Sequence, residues 1–141
     1  MIIVFVVGTI NPKLLGVAKR VKGYRPNDYE LISTYLSFFS EIILLPNIAT
    51  EASNLLDHLK GEQRDDCMAF LKALTGIGSE RYIASASAAE QPEYMALGIT
   101  DAAILCALQS DTYLLTADWA LYLAATYRGR EAQYFDDLRG T

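Results

Sequence analysis

Three acidic residues stand where a metal-dependent enzyme would place its ligands. Asp101 begins an apolar helical pattern, and Asp118 follows a predicted strand 17 residues later. Glu51 follows another short apolar run, which Pro46 ends. Hard divalent cations such as Mg²⁺ and Mn²⁺ prefer oxygen ligands, typically a few carboxylates and water. Such a metal polarises a phosphoryl oxygen and supplies hydroxide for in-line attack. The acids therefore indicate a metal site for phosphodiester chemistry.

Each acid also has a purely structural interpretation. Asp101 would interact favourably with the positive N-terminus of its helix. Asp118 fits an ordinary N-cap or first-turn position, and Glu51 fits a solvated helix position. Carboxylates that converge from separate elements repel one another unless a cation joins them. The order and context of the three acids together favour a shared site.

A basic segment near the N-terminus contrasts with the acidic remainder. Residues 1–27 contain five bases and no acid, whereas the remaining residues contain 7 bases and 17 acids. The net charge is therefore +5 before residue 28 and −10 after it, which sums to the −5 of the whole chain. Clustered cations are typical of surfaces that hold phosphate. A solvated helix face, or pairing with acids of a partner subunit, is the alternative. The basic residues are Lys13, Lys19, Arg20, Lys22 and Arg25.

Hydrophobic patterns alternate between strands and helices along the chain. Strands are predicted over residues 2–7, 42–45, 112–115 and 133–135, from short β-branched or apolar runs. Helices are predicted to begin at Pro12, with Asn11 as N-cap, and over 27–40, 47–60, 62–75, 88–97, 101–109 and 118–127. Thr100 is the predicted cap of the helix that contains Asp101.

This alternation predicts an α/β fold, a three-layer α/β/α domain with a central, mostly parallel sheet. No linker or repeat interrupts residues 1–141, so a single domain is expected. Sites in open α/β sheets form outside the carboxyl ends of the strands. The segments Gly8–Asn11, Pro46–Glu51 and Thr116–Asp118 each follow a predicted strand. We expect them to converge on one edge of the sheet.

The chain resembles the PIN-domain family over nearly its whole length. The strongest part lies between Gly98 and Ala125, where Thr-Asp-Ala-Ala-Ile and Leu-Leu-Thr-Ala-Asp stand at the family's spacing. The segment Leu-Leu-Pro-Asn-Ile-Ala-Thr-Glu that ends at Glu51 is a moderately specific second motif. The resemblance implies metal ligation by Glu51, Asp101 and Asp118, with Thr116 as a supporting hydroxyl.

The resemblance also implies a function. The chain is similar to VapC-like toxins, which are metal-dependent endoribonucleases of toxin–antitoxin pairs. This resemblance implies that Mg²⁺ or Mn²⁺ is the cofactor and RNA the substrate. It also implies that the protein is a homodimer and is inhibited by an antitoxin protein. The basic segment would contact the RNA phosphates.

The first motif of the family departs from its pattern in this chain. A strand ending in Asp-Thr-Asn is replaced by Val-Gly-Thr-Ile-Asn, so Gly8 stands where the first aspartate is expected. Thr9 is kept, and Asn11 is displaced by one position. Asn11 is a neutral oxygen ligand or, by the preferred interpretation, only an N-cap. Two hypotheses follow: a ribonuclease, active or inactivated at Gly8, and a catalytically inactive RNA- or protein-binding module.

Several other residues have open assignments. Trp119 either stacks on a base or packs in the core or an interface, which we favour. Asp136 or Asp137 would replace the missing aspartate, and His58 is expected at the surface. Cys67 and Cys106 show no metal-ligand spacing and are predicted as reduced core thiols.

The short apolar N-terminal run fits neither a membrane span nor a signal peptide, so a cytoplasmic protein is expected. 

Overall fold

The computed structural model describes residues 1–140 and divides into two compact units, which are treated separately below. The N-terminal unit comprises Met1–Glu80, and the C-terminal unit begins at Arg81. Both units contain helices and short parallel strands, so the chain is a mixed helix-and-strand protein, as predicted. No helix within residues 1–140 combines the length and apolar character needed to cross a bilayer.

The N-terminal unit is built around a buried helix. Its elements are α1 (Ile2–Ile10), α2 (Pro26–Leu36), β1 (Ile43–Leu44), α3 (Pro46–Leu56), α4 (Gly61–Ile77) and β2 (Ser79–Glu80). Helix α1 contacts α2, α3 and α4, and β1 pairs in parallel with β2. The helices predicted over 27–40, 47–60 and 62–75 and the strand over 42–45 are confirmed, with shifted boundaries.

The predicted strand over residues 2–7 is wrong, because Ile2–Ile10 forms helix α1. A short apolar run fits a buried strand and a buried helix equally well, so its periodicity does not separate them. Ile3, Val4, Val6 and Val7 are all buried on one broad face, and the apolar Ile2 and Phe5 on the other side are half-buried. An all-round apolar helix needs packing partners on several sides, and α2, α3 and α4 supply them.

Cys67 of α4 is a fully buried, unpaired thiol. Desolvation, with a smaller contribution from Asp66, raises the pKa of this thiol to about 11. A thiol with so high a pKa stays protonated at neutral pH and reacts poorly. The predicted core role is therefore confirmed for Cys67, whereas Cys106 in the C-terminal unit is half-buried.

The C-terminal unit carries the other two acids of the predicted site. Its described elements are α5 (Ser85–Ala89), α6 (Tyr94–Leu97), α7 (Ile99–Ala107), β3 (Tyr113–Thr116), α8 (Trp119–Tyr127), β4 (Glu131–Tyr134) and α9 (Phe135–Arg139). Leu105 and Leu108 pack with Leu121 and Ala125 in its core. This cluster fixes α7 against α8.

The segment β3–α8–β4 is a compact parallel strand–helix–strand unit. Helix α8 contacts both strands, and β3 pairs with β4 from Tyr113 opposite Glu131 to Thr116 opposite Tyr134. The helix ends in a Schellman motif, in which the Arg130 N–H donates to the Ala125 carbonyl at 3.0 Å. Gly129 provides the left-handed residue of that motif, with φ of +70°. The motif returns the chain directly into β4.

The described strands form two two-stranded parallel sheets, one in each unit. The predicted segments 112–115 and 133–135 correspond to the pair β3 and β4, so these strands are confirmed with small shifts. The segment Gly8–Asn11 does not follow a strand, because it continues and ends helix α1. The prediction that Gly8–Asn11 lies at the carboxyl edge of a sheet is therefore wrong.

An ion pair between the beginning of α6 and the end of α8 should make stability depend on pH. Arg128 donates from Nε to Glu93 Oε1 at 2.9 Å and from Nη2 to Oε2 at 2.5 Å. The hydrogen bond from Arg128 lowers the pKa of Glu93, although partial burial opposes the shift. A lowered folded-state pKa means that the stabilisation is present above about pH 4.3, the ordinary glutamate value, and disappears as pH falls through the lowered pKa.

We therefore expect Glu93→Gln to reduce the free energy of unfolding by about 1 kcal/mol at pH 7, since the pair is bidentate but partly exposed. The difference from the parent should shrink in urea titrations between about pH 5 and about pH 3. Asp57→Asn is the control, because Asp57 pairs with Arg64 at an exposed position, with 58% of the Asp57 side chain accessible. If the free energies of unfolding of the parent and Glu93→Gln differed by the same amount at all pH values, the ion pair would not be the cause of the difference.

Candidate acidic and aromatic site

Asp118 is held at the junction between strand β3 and helix α8. Its backbone N–H donates to Thr116 Oγ1 at 3.0 Å, and its Oδ1 accepts from the Leu121 N–H at 3.0 Å. Asp118 is thus the N-cap of α8, which confirms the structural role proposed for it. The residue is exposed, whereas Thr116 is buried. The Thr116 hydroxyl therefore contacts the Asp118 backbone directly, and its role at a metal site stays a prediction.

A second group of acids lies beside Asp118 at the end of β4. Tyr134 is paired in register with Thr116, so the carboxyl ends of the two parallel strands coincide. Its hydroxyl donates to Asp136 Oδ2 at 3.1 Å. The pKa of Tyr134 is raised mainly by this hydrogen bond. Desolvation and the negative charges of Asp136, Asp137 and Asp118 raise it further. The three carboxylates therefore act on one phenol, and the junction is an acidic surface.

Three aromatic rings cover the same junction; we call Trp119, Tyr122 and Tyr134 the aromatic cluster. The Trp119 ring lies 5.3 Å from that of Tyr122, with 29° between planes, and 5.0 Å from that of Tyr134, with 67° between planes. The Tyr122 and Tyr134 rings are 5.8 Å apart. Trp119 is 52% exposed, so a core position is wrong, whereas the other part of the favoured prediction, packing in an interface, stays a prediction.

Sequence reasoning missed Tyr122 and Tyr134 as members of this surface. Tyr122 is one helical turn after Trp119, which is a readable signal. Tyr134 is 15 residues after Trp119, and only the register of β4 against β3 brings it there. The nine tyrosines of the chain therefore looked dispersed.

Asp101 is the third residue of α7 rather than the residue after a threonine cap. The prediction that Thr100 caps the helix is wrong, because Gly98 is the N-cap and Thr100 is already helical. Gly98 adopts φ of +86°, which lets the chain leave α6 and enter α7 without a spacer. Asp101 is half-buried in the first turn of α7, where the helix N-terminus favours a negative charge.

Glu51 belongs to the N-terminal unit, on helix α3, and its side chain is exposed. Asn54 and His58, which follow it, are also exposed. The expectation of a surface histidine is therefore confirmed. No polar contact of the Glu51 side chain is found among the described residues.

The residues around Gly8 serve the packing of α1. A side chain at Gly8 would meet Tyr29, with Cδ2, Cγ and Cβ at 2.5–2.7 Å from the position of the added Cβ. Thr9 Oγ1 donates to the Phe5 carbonyl at 2.8 Å and lies 3.4 Å from the Tyr29 hydroxyl. Asn11 Oδ1 accepts from the Lys13 N–H at 3.1 Å and caps the 3₁₀ turn Pro12–Leu14. The N-cap interpretation of Asn11 is confirmed, and Thr9 has a local structural role.

The basic segment, residues 13–25, is a solvent-facing connection between α1 and α2. It contains the 3₁₀ turns Pro12–Leu14 and Lys19–Val21, and Leu15 and Val21 anchor it through buried side chains. All five of its basic side chains are exposed. Within residues 1–140 none of them forms an ion pair, so their charge is available to an anion.

Within each unit, the described histidine, cysteine, aspartate and glutamate side chains form no group of three arranged to hold a metal ion. The C-terminal unit nevertheless offers hard oxygen donors in Asp101 and Asp118. Mg²⁺ is commonly held by one or two carboxylates, with water and substrate oxygens completing its shell. The donor chemistry therefore fits such a cation.

Comparison of the chain with protein-family models, with curated proteins and with solved structures gave no match. 

Proposed function

We propose that this protein is a metal-dependent endoribonuclease of the PIN type. Glu51, Asp101 and Asp118 would supply its carboxylates, and Mg²⁺ or Mn²⁺ would be its cofactor. By its resemblance to PIN domains, its fold would be a three-layer α/β/α domain with a central sheet. By its resemblance to VapC-like toxins, the protein would work in the cytoplasm as a homodimer, with an antitoxin as its inhibitor.

The observation that carries this proposal is the position of Asp118. It follows parallel strand β3 at the carboxyl edge, where α/β proteins bind ligands. Thr116 fixes its backbone and the cap bond fixes Oδ1. Because Oδ1 serves the helix, Oδ2 is the oxygen that we assign to the cation. A rigid backbone and an exposed carboxylate are what a metal ligand requires.

The proposed site residues would have two roles, which are to neutralise the charge of the metal and to position the RNA. A divalent cation bound there would polarise a phosphoryl oxygen of the scissile phosphodiester. Asp118 and Asp101 would balance the cation's charge, and the exposed cations of the basic segment would hold the RNA backbone. Asp136 stays bound to Tyr134 and Arg139 and is assigned no ligand role.

The direct test is RNA cleavage by the purified parent protein in Mg²⁺, Mn²⁺ or chelator. Structured and unstructured RNA should be compared, with products resolved by gel electrophoresis. The proposal expects endonucleolytic fragments in Mn²⁺ or Mg²⁺ and none in chelator. Fragments that persist in chelator at the same rate would exclude the metal-dependent mechanism.

A second candidate function is an RNA-binding module without catalysis. Two observations favour it: Gly8 stands in place of the family's first aspartate, and the basic segment presents five exposed cations that form no ion pair among the described residues. This module would retain RNA in the absence of metal, and its affinity would depend strongly on salt.

Reversing two of these charges should reveal whether the basic segment binds RNA. In chelator, Lys19→Glu/Arg20→Glu should weaken RNA binding about tenfold or more and lower the salt-dependence slope by roughly 2, because two phosphate contacts are lost. Fluorescence anisotropy of a labelled RNA at several salt concentrations measures both quantities. The matched control is Lys60→Glu/Lys72→Glu, which makes the same charge change at exposed positions of the same unit. Equal losses in both variants would show that only net charge matters.

A further inference from the structure

We propose that Arg81 is a positioning residue for the metal site, because it locks the turn between the two elements that carry Asp101 and Asp118. The inference rests on the proposed function and adds a residue that touches neither the metal nor the RNA. Arg81 would act only through the spacing of the two carboxylates. Three features support this role: the hydrogen bonds of Arg81, the packing beside the turn and the lengths of the two elements.

One guanidinium nitrogen of Arg81 joins the end of helix α7 to the residue that precedes strand β3. Arg81 Nη1 donates to the Ala107 carbonyl at 2.6 Å and to Thr112 Oγ1 at 3.1 Å. Ala107 is the last residue of α7, so its carbonyl is one of the four that lack a partner within the helix. A cation at this position also faces the negative end of the helix dipole. Arg81 therefore caps α7 and holds the beginning of β3 at the same time.

The turn itself, residues 108–112, is closed by hydrogen bonds to the same threonine. The Thr112 N–H donates to the Gln109 carbonyl at 3.1 Å, and the Gln109 N–H donates to Thr112 Oγ1 at 3.4 Å. Ala107 and Thr112 are both buried. Loss of the Arg81 donor would therefore leave a buried carbonyl without its hydrogen bond, which is unfavourable. Arg81 thus completes a turn whose geometry is set by directional bonds.

Helix α7 and strand β3 pack on one hydrophobic cluster beside this turn. Leu105 and Leu108 belong to the core cluster of the C-terminal unit, and Leu114 of β3 packs against that cluster. Burial of apolar surface holds the two elements together but is not directional. The hydrogen bonds of Arg81 are directional, because they weaken steeply as their angle changes. The angle between α7 and β3 therefore depends on Arg81 more than on the apolar packing.

Both acids lie far enough from the turn for a small change of this angle to matter. Asp101 precedes Ala107 by six residues of α7, which is about 9 Å along the helix axis. Thr116, the last residue of β3 before Asp118, follows Thr112 by four residues, which is about 13 Å along the strand. A rotation of about 10° at the turn would therefore move a carboxylate by roughly 1.5–2 Å. Functional groups must be held to within about 0.5 Å, so the two acids would no longer bind one cation together.

Isothermal titration with Mn²⁺ tests this role without requiring activity. Arg81→Met removes the donors and should weaken Mn²⁺ binding about tenfold or more, as the loss of residues that orient metal ligands does. Arg81→Lys keeps a donor and should restore most of the affinity. Loss of a positive charge alone favours cation binding, so weaker binding by Arg81→Met is not an effect of net charge. The matched control is Arg130→Met, because the half-buried Arg130 side chain makes no polar contact among the described residues of the same unit. It should bind Mn²⁺ like the parent.

Three outcomes would overturn the proposal, and they differ in what they leave standing. Parent-like Mn²⁺ binding by folded Arg81→Met would reject the positioning role and leave the metal site intact. Equal losses in Arg81→Met and Arg130→Met would assign the effect to a general disturbance of the unit. No Mn²⁺ binding by the parent would reject the proposed ribonuclease itself.

A second variant keeps the test decisive if urea denaturation shows that Arg81→Met does not fold. Thr112→Val removes one of the two acceptors of Arg81 and nearly keeps the shape of the side chain. It should weaken Mn²⁺ binding severalfold, since the turn then keeps only the bond from Arg81 to Ala107. Binding as tight as that of the parent would again reject the positioning role.

Discussion

Replacing Asp118 with asparagine should lower metal-dependent RNA cleavage by about a hundredfold or more while leaving the free energy of unfolding nearly unchanged. Even residues that only support a metal ligand cost 10–100-fold when they are lost, so removal of a ligand charge should cost at least as much. Asparagine caps helices as well as aspartate does. The bond from Leu121 to Oδ1 can therefore persist, and the variant changes charge without changing the fold.

Asp118→Ala provides the structural comparison. It should lose the cap and destabilise the protein by about 1 kcal/mol, in addition to losing activity. Cleavage rates with Mn²⁺ and urea denaturation curves should be measured on the same preparations. Parent-like cleavage by Asp118→Asn would assign Asp118 to the helix cap alone.

Replacing Gly8 with aspartate should destabilise the protein by about 3 kcal/mol. The added Cβ would lie 2.5 Å from Tyr29 Cδ2 and 2.7 Å from Tyr29 Cβ, so the near end of the ring would have to move. Overpacking of this kind costs about 1–3 kcal/mol, and a buried carboxylate adds a desolvation cost. Phe5 stacks on the same tyrosine ring at 6.1 Å, which limits its escape.

Alanine variants isolate the steric part of this effect. Gly8→Ala should still destabilise by about 1 kcal/mol, because the clash exceeds the gain of roughly 1 kcal/mol in helix propensity. Gly76→Ala is the matched control: Gly76 also lies in a helix, but an added Cβ would meet nothing within 4 Å. It should stabilise the protein by about 0.5–1 kcal/mol. Stabilisation by both alanine variants, measured by urea denaturation, would contradict the close packing of α1 on α2.

The strand–helix–strand segment of the C-terminal unit was predictable from sequence. Short apolar runs alternate with a helical pattern there, and Asp118 stands at the boundary as a typical N-cap residue. Signals of this kind depend on only a few neighbouring residues, so tertiary packing did not override them here. The prediction that Thr100 caps α7 was wrong, because the N-cap is Gly98, two residues earlier, and the positive φ of Gly98 cannot be read from the sequence.

Helix α1 was not predictable, because its conformation depends on its packing partners. The run from Ile2 to Val7 has a β-branched composition that favours a strand, but α2, α3 and α4 surround it as a helix. The close approach of Tyr29 to Gly8 likewise depends on tertiary packing. The aromatic cluster was missed because the register of β4 on β3, and not sequence proximity, brings Tyr134 to Trp119.

Mn²⁺ binding followed by electron paramagnetic resonance tests most directly whether the predicted acids hold a catalytic metal. Free Mn²⁺ gives a sharp signal that is lost on binding, so a titration counts bound metal without requiring activity. The parent should bind Mn²⁺ and Asp101→Asn/Asp118→Asn should not, whereas the control Glu62→Gln/Asp66→Asn, with the same charge change at exposed positions of α4, should bind like the parent. Equal binding by the parent and by Asp101→Asn/Asp118→Asn, or no binding by the parent, would contradict the metal site on which the proposed ribonuclease depends.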